Sequence, residues 1–153
     1  MSDSAVVQGR MEDDTIKLLR ECDAGIKMGI EAIREVIDYV KDVKLKELLK
    51  KSRDTHERLQ DNAAKLLQQH NDEGKSPSPM AKGMSWLKTN MKLTMDSSDN
   101  AVADLMVDGC NMGTKSLHKY LNQYTMASDK AKKLAEDVLV EEEKLAEKMR
   151  EYL

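Results

Sequence analysis

The chain contains few of the residues that favour β-sheets or interrupt helices. It has no phenylalanine, one tryptophan, two prolines and seven glycines among its 153 residues. Aromatic side chains favour strands, whereas proline and glycine tend to end helices. With 40% hydrophobic and 35% charged residues, this composition predicts a water-soluble all-α protein, and the length fits a single domain.

Cysteines and basic clusters are also scarce, and this scarcity excludes several classes of protein. The two cysteines, Cys22 and Cys110, are far apart and belong to no Cys-x-x-Cys motif. Zinc-finger and disulfide-scaffold folds are therefore excluded, and two buried free thiols are expected. The net charge is −3, and lysines alternate with glutamates instead of forming a basic block, so nucleic acid is not an expected partner.

Long apolar runs and common catalytic motifs are missing too. No window approaches the roughly 18 apolar residues of a membrane span, and residues 1–14 contain no basic segment followed by an apolar one. The sequence therefore predicts no membrane span and a cytoplasmic location. It contains no nucleophile elbow, catalytic triad or glycine-rich phosphate loop, which disfavours an ordinary hydrolase or nucleotide-binding enzyme.

The chain does contain four long segments with apolar residues at helical spacing. Residues 1–12 are polar and aperiodic and are predicted to form a mobile tail, so that one domain spans 13–153. Capping residues and the glycine and proline cluster after the second segment set the helix limits. The predicted helices run from Asp13 or Asp14 to about Val43, from Asp42 or Val43 to His70, from a cap within 96–100 to Tyr124, and from Ser128 or Asp129 to the end.

The connection between the second and third helices, at about residues 71–99, is long. Methionines and Leu87 recur on one face of residues 80–95, which predicts a short extra helix whose methionines fill a core. About 15 helical and 10 extended residues span roughly 55 Å, more than the roughly 42 Å of a 28-residue helix. The third helix is therefore predicted to run parallel to the second, as in four-helix bundles with one long crossover.

Two of the apolar stripes are interrupted near mid-helix by an ionisable residue, His56 in the second helix and Glu142 in the fourth. Burying such groups unpaired is costly, so both are candidates for a site at the centre of the bundle. They are interpreted as a hydrogen-bonded pair that fixes helix register, as the remnant of a metal site, or as side chains that reach solvent. Asp23, which interrupts the first stripe, is expected to reach solvent.

Gly109 and Gly113 form a Gly-x-x-x-Gly pair in the middle of the third helix. Each costs about 1 kcal/mol of helix stability relative to alanine, so a reason for both is expected. One interpretation is the close approach of a neighbouring helix. The other is a small cavity beside His56 that admits a ligand.

Four short segments carry a resemblance to a known family. They are Met-Gly-Ile-Glu at 28–31, Lys-Leu-Lys-Glu-Leu-Leu at 44–49 ahead of Arg-Asp-Thr-His at 53–56, the stretch from 74 to 88, and residues 112–120. With them, residues 13–153 resemble the ferritin-like superfamily, and in particular an uncharacterised bacterial family of small four-helix-bundle proteins. The resemblance implies an all-α, ferritin-like four-helix bundle with a long crossover between the second and third helices.

The resemblance also directs attention to a di-metal site. Di-iron bundles take one glutamate from each of two helices and a Glu-x-x-His motif from each of the other two. Here the first motif is incomplete because Arg53 precedes His56, and the second because Lys144 follows Glu141. Glu141 matches the motif, whereas the apolar stripe points to its neighbour Glu142.

The other two ligand positions implied by the resemblance carry no ligand. The third-helix position, seven residues before Tyr120, is Gly113, and the first-helix position lies near Ile26. His56, Glu141 and Glu142 are therefore candidate remnants of a metal site, with a structural role favoured.

These observations favour a non-enzymatic bundle that has lost its di-metal centre, needs no cofactor, and acts as a binding, stress-related or structural module. Self-association, with a dimer favoured, is expected. The alternative is an iron- or manganese-binding storage or oxidase-like protein with an unorthodox site near His56 and Glu142. A third hypothesis is a small-ligand carrier that uses the space beside Gly113.

Overall fold

The structure, a computed structural model, describes residues 3–75 and 98–153. Within these two ranges it consists of four helices and contains no strand, which confirms the all-α prediction. None of these helices is long and apolar enough to cross a membrane. The helices are α1 (Asp3–Ile37), α2 (Val43–Gln68), α3 (Asp99–Gln123) and α4 (Asp129–Arg150).

Three of the four helices begin at a side-chain cap. Asp42, Ser98 and Ser128 each precede a helix and accept a hydrogen bond from the backbone N–H three residues later. Such a cap satisfies one of the donors that a helix start leaves free. The predicted starts of α2, α3 and α4 are confirmed, because capping depends on a few neighbouring residues that the sequence shows directly.

The start of α1 differs from the prediction. The sequence predicted a mobile tail over residues 1–12 and a helix from Asp13 or Asp14, but the helix begins at Asp3 and its residues 3–13 are all exposed. Extending an existing helix fixes one residue for each hydrogen bond gained, so a polar segment continues it without an apolar stripe. The predicted mobility stays a prediction.

The four helices pack in an order that places α2 and α3 diagonally. Helix α1 packs against α2 and α3, helix α4 packs against the same two helices, and α1 and α4 also contact each other across the bundle. The short connection after α1 makes α1 and α2 antiparallel neighbours.

Hydrogen bonds at the two ends of the bundle fix the helix directions. At one end the Asp99 carboxylate at the start of α3 accepts the backbone N–H groups of Lys41 and Asp42, just before α2. At the other end the backbone N–H groups of Met126 and Ser128 donate to Asp14 and to Thr15 of α1. Helices α2 and α3 therefore start at the same end and run parallel. The end of α2 and the start of α3 lie at opposite ends of the bundle, as one long crossover requires. The short helix predicted over 80–95 lies outside the described residues.

The chain that follows α2 is held against α1 by a buried carboxylate. Asp23 is 2% exposed, so the expectation that it reaches solvent is wrong. It accepts hydrogen bonds from the backbone N–H of Lys75 at 3.1 Å and from the Lys27 ammonium at 2.7 Å. Gly74 has a positive φ of 92° and contacts the same carboxylate, so a side chain there would be both strained and obstructed. The local pattern of α1 showed the acidic residue but not the distant chain that covers it.

The hydrophobic core is divided into two clusters. One extends from Leu18 to Ile30 of α1 and includes the start of α4, whereas the other extends from Ile33 to Val40 and includes the end of α4. The apolar residues at helical spacing mostly face inward; near the end of α2, Leu67 is buried and Leu66 is half-buried. The layer between the two clusters is polar.

Candidate functional site

Each of the four helices contributes to the polar layer between the two halves of the core. Helix α1 contributes Gly29, α2 contributes Ser52 and His56, α3 contributes Cys110 and Gly113, and α4 contributes Glu141 and Glu142. Of the interpretations that the sequence left open for His56 and Glu142, the structure has the hydrogen-bonded pair, because it brings the two side chains together across the core.

A short contact across the core joins His56 to Glu142. The Nε2 atom of His56 lies 3.0 Å from Oε1 of Glu142, and the two residues are 1% and 8% exposed. The Nδ1 atom of His56 lies 2.8 Å from the carbonyl oxygen of Ser52, one turn earlier. Since a carbonyl oxygen can only accept, Nδ1 carries a proton, and the ring is fixed from both sides.

Glu141 has its own partner in α2. The Ser52 hydroxyl donates to Oε2 of Glu141 at 2.8 Å, and the same hydroxyl oxygen lies 3.4 Å from Nδ1 of His56. The sequence left open whether Glu141 or Glu142 faces the core; both are 8% exposed, because adjacent helical positions can both meet α2 when that helix crosses above them. The sequence gave no indication that Ser52 is the partner of Glu141.

The environment of His56 favours its charged form. Burial lowers the pKa of this imidazole, but the hydrogen bond and the negative charge of Glu142, the Ser52 carbonyl and the charge of Glu141 together raise it above the ordinary histidine value. When its ring is protonated, His56 forms a buried ion pair with Glu142.

Two glycines leave room beside this pair, and they do so differently. A Cβ atom on Gly29 would lie 2.7 Å from Nε2 and 2.8 Å from Cδ2 of His56, so only glycine fits there. A Cβ atom on Gly113 would lie 3.5 Å from Oε2 of Glu142, which is ordinary contact, and one on Gly109 would meet no atom of the described residues within 4 Å. Within residues 3–75 and 98–153, no neighbouring helix therefore approaches Gly109 or Gly113 closely enough to require glycine. The closely approached glycine is Gly29.

Both thiols are buried, as predicted, and both are poor nucleophiles. Burial raises the pKa of Cys22 to about 12, with smaller contributions from the charges of Glu21 and Asp23. Burial raises the pKa of Cys110 further still. The charge of Glu142 and a hydrogen bond between Cys110 and Glu142 raise it as well, by smaller amounts. Because the thiolate is the reactive form of cysteine, neither residue is placed for nucleophilic chemistry.

The residues of the layer do not fit a di-iron centre. Metal binding requires a neutral imidazole with a free lone pair, whereas Nε2 of His56, the nitrogen not held by the Ser52 carbonyl, lies 3.0 Å from Oε1 of Glu142. The position implied for the third-helix ligand is Gly113, and Ile26, near the implied first-helix ligand, is fully buried in the apolar core. Within residues 3–75 and 98–153, no three histidine, cysteine or acidic residues are grouped to hold an ion.

An open groove of about 590 Å³ lies between α2 and α4 on the outer side of Glu141. Its centre is apolar, with Leu59 buried and Val140 65% exposed. Charged and polar side chains form its rim: Thr55, Arg58, Asp61, Asn62, Lys65, Asp137 and Lys144. The sequence gave no indication of this groove, because two helices distant in the chain form it.

The comparisons with known proteins add no relative to this picture. No protein-family model, curated protein or solved structure matches the chain.

Proposed function

We propose that the protein is a non-enzymatic, ferritin-like helical bundle with a binding, stress-related or structural role, in which an ion pair between His56 and Glu142 stands where related bundles hold two metal ions. The observation that carries the proposal is the 3.0 Å contact between Nε2 of His56 and Oε1 of Glu142. In this arrangement the Glu142 carboxylate binds the His56 imidazole directly, whereas in a metal site both groups would bind the metal ion.

The two glycines support the same proposal. Gly29 and Gly113 face the ion pair from α1 and α3, the helices that would each supply a ligand in a di-metal bundle. Glycine has no side chain to offer a metal, so the residues that meet at the centre satisfy one another. A buried pair of this kind fixes the register of packed helices, a role for which lone polar core residues are known.

Elemental analysis of protein purified without chelator tests the proposal. We expect iron, manganese and zinc each well below one ion per chain. We also expect no rise in melting temperature when Fe(II) or Mn(II) is added, since a ligand that binds only the folded state would raise it.

Two histidine variants make the test specific. His56→Ala removes the central imidazole, whereas His118→Ala removes an exposed one. Stoichiometric metal that is lost in His56→Ala but kept in His118→Ala would contradict the proposal and establish the alternative, an iron- or manganese-binding protein with an unorthodox site at His56, Glu141 and Glu142.

A further inference from the structure

The first helix extends beyond the other three. The segment of α1 from residue 3 to residue 13, here called the overhang, is exposed throughout. It ends at Asp14 and Thr15, whose side chains accept hydrogen bonds from the backbone of the connection between α3 and α4. On the overhang, Val6, Val7 and Met11 are 43%, 44% and 40% exposed, so this helix presents apolar side chains that nothing in the described chain covers.

The groove between α2 and α4 is the complementary feature. Its apolar centre at Leu59 and Val140, surrounded by charged side chains, has the composition of a docking surface with an apolar core and a polar rim. A groove between two helices is a common seat for a third, amphipathic helix.

The two features match in length. The α2 side of the groove extends from Thr55 to Lys65, ten helical steps or about 15 Å. The overhang, from residue 3 to residue 13, also spans ten steps and about 15 Å.

Their charges are complementary as well. The overhang is acidic, with three acidic residues and one basic residue, Arg10, although Asp13 is paired with Lys17 and Glu12 lies near His70 in the same chain. The groove is lined by three cationic residues, Arg58, Lys65 and Lys144, and by three acidic ones, of which Asp137 is paired with Lys133 at 2.6 Å and Glu141 is bonded to Ser52. The groove therefore keeps a small excess of positive charge toward an acidic helix, and Asp61 on the same rim is available to Arg10.

We propose that the overhang of one copy of this chain docks in the groove between α2 and α4 of a second copy. Each contact joins two different surfaces, and a two-fold symmetric dimer in which the copies exchange overhangs makes this contact twice and closes. A single contact of one short helix falls below the roughly 800 Å² per partner of a standard interface. Reciprocal exchange doubles the contact area, and this favours a closed dimer over an open chain of copies. The proposal concerns the surface of the protein and is independent of the metal content of its core.

Sedimentation equilibrium of the full chain over a wide range of concentration tests the proposal. The wild-type protein is expected at twice the 17.3 kDa chain mass. Val7→Glu on the overhang and Val140→Glu in the groove should each weaken the dimer at least about tenfold, a change of about 1.4 kcal/mol. Met112→Glu, at a residue of α3 that is 54% exposed and outside both surfaces, should leave the dimer unchanged. Circular dichroism checks that each variant remains folded.

Mixing the two weakened variants distinguishes this arrangement from other dimers. In a dimer of either variant, both contacts include one altered surface. A mixed dimer contains one contact between two unaltered surfaces, the overhang of the Val140→Glu chain in the groove of the Val7→Glu chain. The mixture should therefore associate more strongly than either variant alone. A wild-type protein that is monomeric at every concentration, a dimer that Val140→Glu leaves intact, or a mixture no stronger than its components would overturn the proposal.

Discussion

The charged form of His56 is favoured inside the bundle because Oε1 of Glu142 lies 3.0 Å from its Nε2. Burial alone would lower the pKa of this imidazole, and the carboxylates of Glu142 and Glu141 more than offset that effect. The raised pKa makes the folded state bind a proton more tightly than the unfolded chain does, which couples stability to pH.

The sign of that coupling gives a first prediction. A group whose folded pKa is raised contributes stability that is complete below its unfolded pKa, about 6.5 for histidine, and that is lost as pH rises through the folded pKa. The free energy of unfolding should therefore fall as pH rises above about 6.5. Urea denaturation between slightly acidic and alkaline pH measures it. The fall should persist in His118→Gln, where the lost histidine is exposed, and largely disappear in His56→Gln; an unchanged pH profile in His56→Gln would contradict it.

Glu142→Gln gives a second prediction. The amide keeps the shape and an acceptor oxygen but removes the charge that favours the imidazolium, so His56 must be buried either neutral or uncompensated. We expect a loss of about 1–3 kcal/mol in unfolding free energy at neutral pH and a lower pKa of His56, measured by NMR. Glu143→Gln, on the exposed side of the same helix, should change neither quantity by a comparable amount. An unchanged unfolding free energy in Glu142→Gln would show that His56 and Glu142 are both uncharged in the folded protein.

The third prediction concerns the helices and tests the close packing of α1 against α2 at Gly29. Alanine is favoured over glycine by about 1 kcal/mol inside a helix, so Gly25→Ala, in the same helix with nothing within 4 Å of the added atom, should stabilise the protein. Gly29→Ala should destabilise it by about 1–3 kcal/mol, because the added Cβ would lie 2.7 Å from Nε2 of His56. Thermal denaturation compares the two variants. Equal stabilisation by both would mean that α1 and α2 do not approach each other as the structure describes.

At the scale of helices, the three correct predictions of a helix start and the one wrong prediction have the same explanation, which is the presence or absence of a local capping signal. The starts of α2, α3 and α4 depend on caps within three residues of the boundary, so the sequence displays them. The start of α1 at Asp3 depends on no such signal, because the overhang has neither a cap in the described chain nor an apolar stripe of full length.

On the scale of the whole molecule, the polar layer separates two apolar halves of the core. Removing one member of a buried ion pair commonly costs 3–5 kcal/mol, whereas replacing both members by apolar residues is often neutral or stabilising. The layer therefore specifies which helices meet at the centre, and it does so without being the main source of stability.

A double-mutant cycle provides the fourth prediction. His56→Leu and Glu142→Met should each destabilise the protein by about 3–5 kcal/mol, and the double variant should recover most or all of that loss. Chemical denaturation of the four proteins gives the coupling energy. If the two losses simply add, the coupling energy is zero and the 3.0 Å contact between His56 and Glu142 does not stabilise the protein.

The amino-acid sequence was sufficient for those features that depend on neighbouring residues: the all-α class, three helix starts, the burial of both cysteines and the inward faces of His56 and Glu142. Helical periodicity and capping act over a few residues, so they can be recognised without knowing the partner surfaces. Features that depend on which helices meet were decided by tertiary packing. Only the packed bundle pairs Glu141 with Ser52, presses Gly29 against His56, buries Asp23 beneath Lys75 and forms the groove between α2 and α4. Each of these contacts joins residues that are far apart in the chain, and a local pattern carries no information about what lies across the core.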